Sequence, residues 1–236
     1  TVDRTEDPAR TGSRGAGFTL ADGIEVTVAP SEQTTVTLDG TDTAVESVNR
    51  VLEALDRTAH VEVETDLPVG RGFGLSGGMA LGTALAAKET FDLARGENEL
   101  IRIAHVADVL AGTGLGDVVG QARGGIVLRL QAGAPPHGNL DAIPGNGRVE
   151  YMALDELSTP EVLEDRPEEI TGAGTEALAA LEAEPTRERF MTAAQQFTAD
   201  VGLATPRIET ILTAVEERGG AASMAMLGET VFGFGH

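Results

Sequence analysis

The chain has 236 residues, 41% of them hydrophobic and none a cysteine, so it can bury a core but cannot use disulfides, zinc–thiolate sites or a thiol nucleophile. Its 38 acidic and 17 basic residues give a formal net charge of -21, which repels phosphate backbones and argues against a nucleic-acid partner. No apolar run reaches the roughly 18 residues of a membrane span, and no signal peptide is visible, so we expect a cytoplasmic protein without a membrane partner.

The acidic residues are spread along the chain instead of forming one block. A block would be typical of a docking tail for a basic partner, whereas even spreading is typical of a surface adapted to high salt, where self-repulsion is screened. We therefore predict a halophilic protein. Because the chain starts at Thr1 and not at Met, we treat it as part of a longer protein.

The first part of the chain shows mostly strand patterns. Residues 12–40 and 61–63 alternate apolar and polar side chains, which predicts half-exposed strands in antiparallel pairing. Between them, apolar side chains at helical spacing predict an amphipathic helix over 43–55. A glycine-rich turn over 68–78 then leads into a mostly apolar helix over 79–93, which we expect to be buried on nearly all sides.

A further helix is predicted over 97–110 and a strand over 125–130. Residues 131–147 are rich in Gly, Pro and Asn and are the best candidate for a boundary, which divides the chain into an N-terminal lobe of residues 1–135 and a C-terminal lobe of residues 136–236. The second lobe is predicted to contain a strand ending at 151–154, helices over 171–182, 186–202 and 206–218, and strands over 222–226 and 230–234. This mixture predicts an α+β fold in two lobes.

The glycine-rich turn is the strongest motif and reads Pro68-Val-Gly-Arg-Gly-Phe-Gly-Leu-Ser-Gly-Gly78. Its glycines let the backbone approach a ligand closely, and the free N–H groups of the helix that follows suit a phosphate. Ser76 places a hydroxyl at the helix start, where it can bind magnesium or cap the helix. A purely structural turn is the alternative.

Other nucleotide motifs fit this turn less well. A Walker loop needs a lysine before its Ser or Thr, and the single lysine of the chain is Lys88. Gly72, Gly74 and Gly77 match the dinucleotide pattern G-x-G-x-x-G, but no acidic residue ends a second strand about 20 residues later. A dinucleotide-dependent oxidoreductase is therefore disfavoured.

The second motif is Gly112-Thr-Gly-Leu-Gly-Asp117, which follows the predicted helix over 97–110. An aspartate held by a tight turn beside a phosphate site can orient an alcohol and accept its proton. Alone, the pattern favours a helix N-cap. Together with the glycine-rich turn, in this order and spacing, it favours a catalytic Asp117.

These motifs resemble the GHMP kinases (the galactokinase, homoserine kinase, mevalonate kinase and phosphomevalonate kinase superfamily), whose loop reads P-x-G-x-G-L-G-S-S-A-A. The residues that match are Pro68, Gly70, Gly72, Gly74 and Ser76, and those that depart from the pattern are Phe73, Leu75, Gly77 and Gly78. Asp117 matches the aspartate of the family's P-S-G-x-D stretch, without its Pro and Ser. Gly228 fits the turn of a late glycine loop, although a plain β-hairpin explains it equally well.

Within the superfamily, the stretches 12–17, 70–77, 104–119 and 223–228 are similar to the archaeal pantoate kinases. The resemblance implies a two-lobed fold, with an N-terminal α/β lobe that carries the phosphate loop and a C-terminal ferredoxin-like lobe. It implies ATP-dependent phosphorylation of the primary hydroxyl of (R)-pantoate to 4-phosphopantoate, in coenzyme A synthesis, with Mg²⁺. The alternatives are a kinase for mevalonate, homoserine or shikimate, and an inactive nucleotide-binding module.

The resemblance also implies roles for particular residues. Asp117 would be catalytic, Ser76 and Asp108 would bind the metal, and ATP and pantoate would be the partners, with a homodimer as one option. The residues expected at the ATP phosphates are Gly70, Arg71, Gly72, Phe73, Gly74, Leu75, Ser76, Gly77, Gly78 and Gly228. Those expected at the substrate are Ser13, Arg14, Gly15 and Thr113. Arg14 would hold the pantoate carboxylate, against the alternative of a solvated surface arginine, and His105 with Asp108 could equally be a buried polar pair.

Overall fold

A computed structural model of the chain describes residues 1–154, 167–226 and 228–235. The strands are β1 (Val2–Asp3), β2 (Gly12–Ser13), β3 (Gly15–Phe18), β4 (Glu25–Pro30), β5 (Thr35–Leu38), β6 (Thr41–Asp42), β7 (Ala59–Glu64), β8 (Ile126–Gln131), β9 (Asn139–Ile143), β10 (Val149–Ala153), β11 (Ala222–Ala225) and β12 (Thr230–Phe234). The helices are α1 (Glu46–Ala54), α2 (Leu75–Thr90), α3 (Glu97–Ala111), α4 (Asp117–Arg123), α5 (Pro167–Ala183), α6 (Arg187–Val201) and α7 (Pro206–Glu216).

The first sheet has the strand order β4-β7-β5-β6. The expected antiparallel pairing holds for β4 with β7, whereas β5 runs parallel to β7. Alternation places Val28, Val36, Val61 and Val63 on one face, where they are buried against α1, α2 and α3. The other face carries exposed polar side chains, so this sheet has one wet side, as the sequence pattern predicts.

The described residues form three further sheets. One is the pair β1-β2, one has the order β3-β8-β9, and one has the order β10-β12-β11. Phe18 of β3 packs edge-on against Phe232 of β12, with ring centroids 5.1 Å apart, and both belong to a core that also includes residues of α5 and α6. Strands from the beginning of the chain and helices from its end therefore share one apolar interior.

The helix after the glycine-rich turn begins at Leu75, four residues earlier than predicted, and ends at Thr90. Gly74 precedes it with φ 65°, a left-handed conformation that glycine adopts without strain. Ser76 consequently lies in the first helical turn. The expectation of burial on nearly all sides is wrong for one strip, since Leu85 is 41% exposed.

The α+β fold class is confirmed by these mixed sheets and helices. The boundary between residues 135 and 136 stays a prediction, and the β8–β9 hairpin spans that point. Sheet β10-β12-β11 with α5, α6 and α7 occupies the region of the expected ferredoxin-like lobe. Within the described ranges, no helix combines the length and apolar character needed to cross a membrane.

Candidate active site

The phosphate loop, residues 70–74, lies between β7 and α2 and is shaped by left-handed glycines. Gly70 and Gly72 have φ values of 73° and 84°, which residues with a side chain rarely adopt. The loop runs directly into the first turn of α2, whose N–H groups lack partners within the helix. The loop and the helix start together form a cradle that suits a phosphate.

The late glycine turn lies against this loop. A Cβ placed on Gly228 would overlap the backbone carbonyl of Arg71, and one placed on Gly72 would lie 3.3 Å from Gly228 Cα. The hydroxyl of Thr230 donates a 2.7 Å hydrogen bond to the Arg71 carbonyl. The two backbones therefore touch, so that only glycine fits at position 228. The expected role of Gly228 at the ATP phosphates stays a prediction.

The phosphate loop carries two large side chains, those of Arg71 and Phe73. Arg71 Nε is buried and has no hydrogen-bond partner among the described residues. A buried guanidinium nitrogen without a partner is costly, and an anionic ligand would satisfy it. Phe73 makes an edge contact with Tyr151 of β10, with ring centroids 5.0 Å apart, which links the loop to the C-terminal sheet.

Asp117 is the first residue of α4, and it lies on the first turn of α2. A Cβ on Gly77 would come within 2.9 Å of Asp117 Cβ and 3.1 Å of the Val118 amide nitrogen. The half-buried Asp117 is thus held beside the phosphate loop. A plain N-cap role is not seen, because Asp117 lies inside the helix and the preceding Gly116 is the N-cap.

Asp108 of α3 lies next to Asp117 and is 1% exposed. Thr113 Oγ1 donates a 2.6 Å hydrogen bond to Asp108 Oδ1. Burial raises the pKa of Asp108 to about 6; hydrogen bonds from Thr113 and Ser76 oppose this, and the charge of Asp117 adds to it. Ser76, Asp108, Thr113 and Asp117 therefore form one group, and the metal, substrate and catalytic roles that the sequence suggests for them stay predictions.

Arg129 of β8 is a site residue that the sequence analysis missed. Its Nη2 donates a 3.1 Å hydrogen bond to Ser13 Oγ, and a Cβ on Gly116 would lie 2.6 Å from its Nε. Burial lowers the pKa of Arg129, and the charge of Asp117 raises it. The signal was present in the sequence, because Arg129 is the one charged residue of β8, whose first three residues are buried.

Arg14 has another partner. Its Nε lies 3.2 Å from Asp3 Oδ2, and its side chain is 33% exposed. Its neighbour Ser13 is in contact with Arg129, and a Cβ on Gly15 would lie 3.8 Å from Arg129 Nη2. The structure thus brings the segment of residues 13–15 to the site through Arg129. The proposed role of Arg14 stays a prediction.

His105 belongs to the wall behind this group. It is 1% exposed, and its Nε2 lies 2.8 Å from the carbonyl oxygen of Thr11. Because a carbonyl only accepts, Nε2 carries the proton. Burial lowers the pKa of His105, so the ring is neutral at pH 7. The contact ties α3 to the segment that carries Ser13.

The side chains of the site fit a magnesium ion that takes some of its ligands from the protein and the others from the nucleotide phosphates and from water. No cluster of three or more His, Cys, Asp or Glu side chains occurs within the part of the chain that the structure describes. Mg²⁺ is usually bound by one or two carboxylates, with phosphate oxygens and waters as its other ligands. The buried carboxylate of Asp108, with the hydroxyl of Ser76 hydrogen-bonded to it, offers such a partial set.

Residues 42–125 match the family described as GHMP kinases N terminal domain. A pantoate kinase of Thermococcus kodakarensis is 36% identical over 245 residues, which cover 96% of this chain and 80% of that protein. A pantoate kinase of Methanospirillum hungatei is 29% identical over 241 residues, covering 98% and 81%.

Solved structures agree with these sequence matches. A structure described as a phosphotransferase related to the CoA biosynthesis pathway superposes with a TM-score of 0.87 at 32% identity, covering 99% of this chain and 82% of that one. Homoserine kinase from Cytophaga hutchinsonii superposes with a TM-score of 0.64 at 19% identity, covering 94% and 79%. The second likeness concerns the fold alone.

Proposed function

The chain belongs to the pantoate kinases of the GHMP kinase superfamily, and from that premise we propose that it transfers the γ-phosphoryl group of ATP to the primary hydroxyl of (R)-pantoate. One observation supports this most directly. Asp117 is packed onto the helix turn that follows the phosphate loop, with the guanidinium of Arg129 beside it. The site therefore offers a phosphate cradle, a proton acceptor and a cation in one place.

The phosphate loop would bind the triphosphate of ATP. Its left-handed glycines and the start of α2 present backbone N–H groups, which bind phosphate oxygens without adding bulk. The unpartnered Nε of Arg71 supports a role for that side chain as a further phosphate ligand. Gly228 and Thr230 would keep the loop in shape from the other side.

Asp117 would orient the pantoate hydroxyl and accept its proton as the phosphoryl group arrives. The oxygen of the alcohol forms the new bond to phosphorus, the bond to the bridging oxygen breaks, and ADP leaves. Phosphoryl transfer depends mainly on such positioning and on charge stabilisation. The half-exposed environment of Asp117 keeps its carboxylate reachable for a substrate.

Arg129 and Ser13 would hold the carboxylate of pantoate. A protein with a net charge of -21 repels a small anion, so a cation must be placed where the anion binds. Arg129 is close to both Ser13 and Asp117, and an anion bound there would lie near the catalytic group. Arg14 is the alternative, although its guanidinium is already paired with Asp3.

Ser76 and Asp108 would bind Mg²⁺. When bound, the ion neutralises charge on the phosphate oxygens of ATP during transfer. We also propose a cytoplasmic location, where ATP is available, and a homodimer as the assembly to test by light scattering. Neither of these two points bears on the chemistry of the site.

The test is ADP release by the protein in molar KCl with Mg²⁺ and ATP, measured separately with pantoate, mevalonate, homoserine and shikimate. We expect turnover with pantoate alone. Turnover with another alcohol would replace the substrate and keep the site, and no turnover with any of them would favour an inactive nucleotide-binding module.

A further inference from the structure

We propose that Gln121 is a positioning residue, which fixes the catalytic helix α4 at its working distance from the phosphate loop. This inference rests on the proposed function, because it assumes that Asp117 acts on a hydroxyl beside bound phosphates. Gln121 lies one helical turn after Asp117, at the spacing that puts both side chains on the same face of α4. That face is turned toward the start of α2.

Gln121 makes a direct hydrogen bond to the phosphate loop. Its Nε2 donates to the carbonyl oxygen of Gly74 over 2.8 Å. The same oxygen accepts the amide of Gly78 over 3.1 Å, which is the first hydrogen bond of α2. Since a carbonyl oxygen has two acceptor sites, both are used. The bond from Gln121 therefore fixes the residue at which the loop becomes a helix.

The two glycines at the start of α2 make room for this arrangement. A Cβ on Gly78 would lie 3.1 Å from Gln121 Oε1, and a Cβ on Gly77 would lie 2.9 Å from Asp117 Cβ. Both distances are tighter than side chains normally tolerate. The contact at Gly77 is with a Cβ, which moves only with its backbone, so helix α4 is closer to the first turn of α2 than an alanine at position 77 would permit. The contact at Gly78 is with the end of the Gln121 side chain.

These contacts give Gln121 a role that differs from general packing. Asp117 acts on a hydroxyl that must meet a phosphoryl group held by the loop, so the separation of α4 from the loop sets the geometry of attack. A misplacement of about 1 Å can reduce turnover about 100-fold. Gln121 contributes the one described side-chain hydrogen bond between α4 and the loop, so its loss should affect turnover more than binding.

The experiment compares the wild type with Gln121→Met, which keeps the length of the side chain and removes the donor, and with Gln121→Glu, which puts an acceptor against the Gly74 carbonyl. We expect kcat to fall about 10-fold for Gln121→Met and about 100-fold for Gln121→Glu. The KM values for ATP and for the alcohol should change less than threefold, because their own ligands remain. Gln196→Met is the matched control and should keep the wild-type kcat, since it removes an amide hydrogen bond to Asp200 on the exposed side of α6.

Thermal unfolding of each variant separates positioning from folding. Wild-type melting temperatures together with a reduced kcat would support the proposal. A kcat within twofold of wild type for both variants would overturn it, and so would a loss that follows the fraction of unfolded protein. The assay includes mevalonate, homoserine and shikimate, so activity on another alcohol would refute the proposed substrate while still testing Gln121. A wild type inactive on every alcohol would refute both.

Discussion

Asp108 and Asp117 face each other across Gly114: a Cβ on Gly114 would overlap Asp108 Oδ2 and lie 2.9 Å from Asp117 Oδ2. Two carboxylates thus converge on one stretch of backbone, one of them fully buried and the other reachable from outside. Their surroundings favour different roles. The buried one is suited to bind a metal ion, whose charge would offset the cost of burying the carboxylate, and the accessible one is suited to meet a substrate.

Replacing the accessible carboxylate should abolish most of the activity. Asp117→Asn keeps the shape of the side chain but cannot accept a proton, so kcat should fall by about 10² or more. Binding of ATP should remain, because the phosphate loop is unchanged. Steady-state kinetics and calorimetric titration with a non-hydrolysable ATP analogue measure the two effects. Asp22→Asn, at an exposed position before β4, is the control. Near-normal turnover of Asp117→Asn would remove Asp117 from the mechanism.

The buried carboxylate should make the stability depend on pH. Because burial raises the pKa of Asp108 from 3.8 to about 6, the folded protein keeps a proton there that the unfolded chain releases between these pH values. The free energy of unfolding therefore falls as the pH rises from 3.8 to 6, and the full cost is present above pH 6. Asp108→Asn should be more stable than the wild type by about 3 kcal/mol at pH 7.

Urea unfolding with EDTA between pH 4 and pH 8 measures this difference. The advantage of Asp108→Asn should be much smaller near pH 4, where the folded wild type keeps the proton on Asp108 and only about half of the unfolded chains have lost it. An advantage of equal size at pH 4 and pH 7 would show that charge burial is not its cause.

Arg129 and Arg14 can be separated by their effect on the alcohol substrate. Arg129→Met should raise the KM for pantoate about tenfold or more, since it removes the cation beside Ser13. Arg14→Ala should raise it less than threefold, because Arg14 is already paired with Asp3. The KM for ATP serves as the internal control in both variants. A larger effect from Arg14→Ala would restore Arg14 as the anchor of the carboxylate.

Most elements of this fold could be predicted from the sequence, because alternation and helical spacing report which side of an element is buried. The parallel pairing of β5 with β7 could not be predicted. It depends on the path of the connection through α1, which the alternation pattern does not report. In the site, the glycine spacing predicted a phosphate loop, and the order of the two motifs favoured a catalytic Asp117; both roles stay predictions. The sequence did not predict Arg129 as a site residue. Its role depends on its neighbours Ser13 and Asp117, which are far from it in sequence and close to it in the fold.

Salt should stabilise the protein partly by screening the repulsion between two like charges on neighbouring strands. Glu25 and Glu64 lie directly opposite each other on β4 and β7, both exposed. Like charges at such positions destabilise a sheet, and salt screens them. Glu64→Lys should raise the free energy of unfolding by about 0.5 kcal/mol at low salt and by less in molar KCl. Glu53→Lys, on an exposed position of α1, is the control with no described partner. If the gain in the free energy of unfolding were the same at every KCl concentration, salt screening of this pair would be contradicted.

Removing a buried hydroxyl from α2 should stabilise the protein. Thr83 is fully buried, and its Oγ1 has no hydrogen-bond partner among the described residues. Thr83→Val has nearly the same shape and should stabilise the protein by about 1 kcal/mol. Thr90→Val in the same helix is the matched control and should destabilise it, because Thr90 Oγ1 donates to the Val28 carbonyl over 3.0 Å. Chemical denaturation compares them, and equal effects would refute the distinction.

The aromatic contact between Phe18 and Phe232 bears on when the shared apolar core can form during synthesis of the chain. Strand β3 is synthesised well before β12, so the ring of Phe232 reaches Phe18 only after most of the described chain has been made. Contacts between residues so far apart form late and slowly. The shared interior therefore closes late, and until then the apolar side of β3 and β8 must be shielded from other proteins by the rest of the nascent chain.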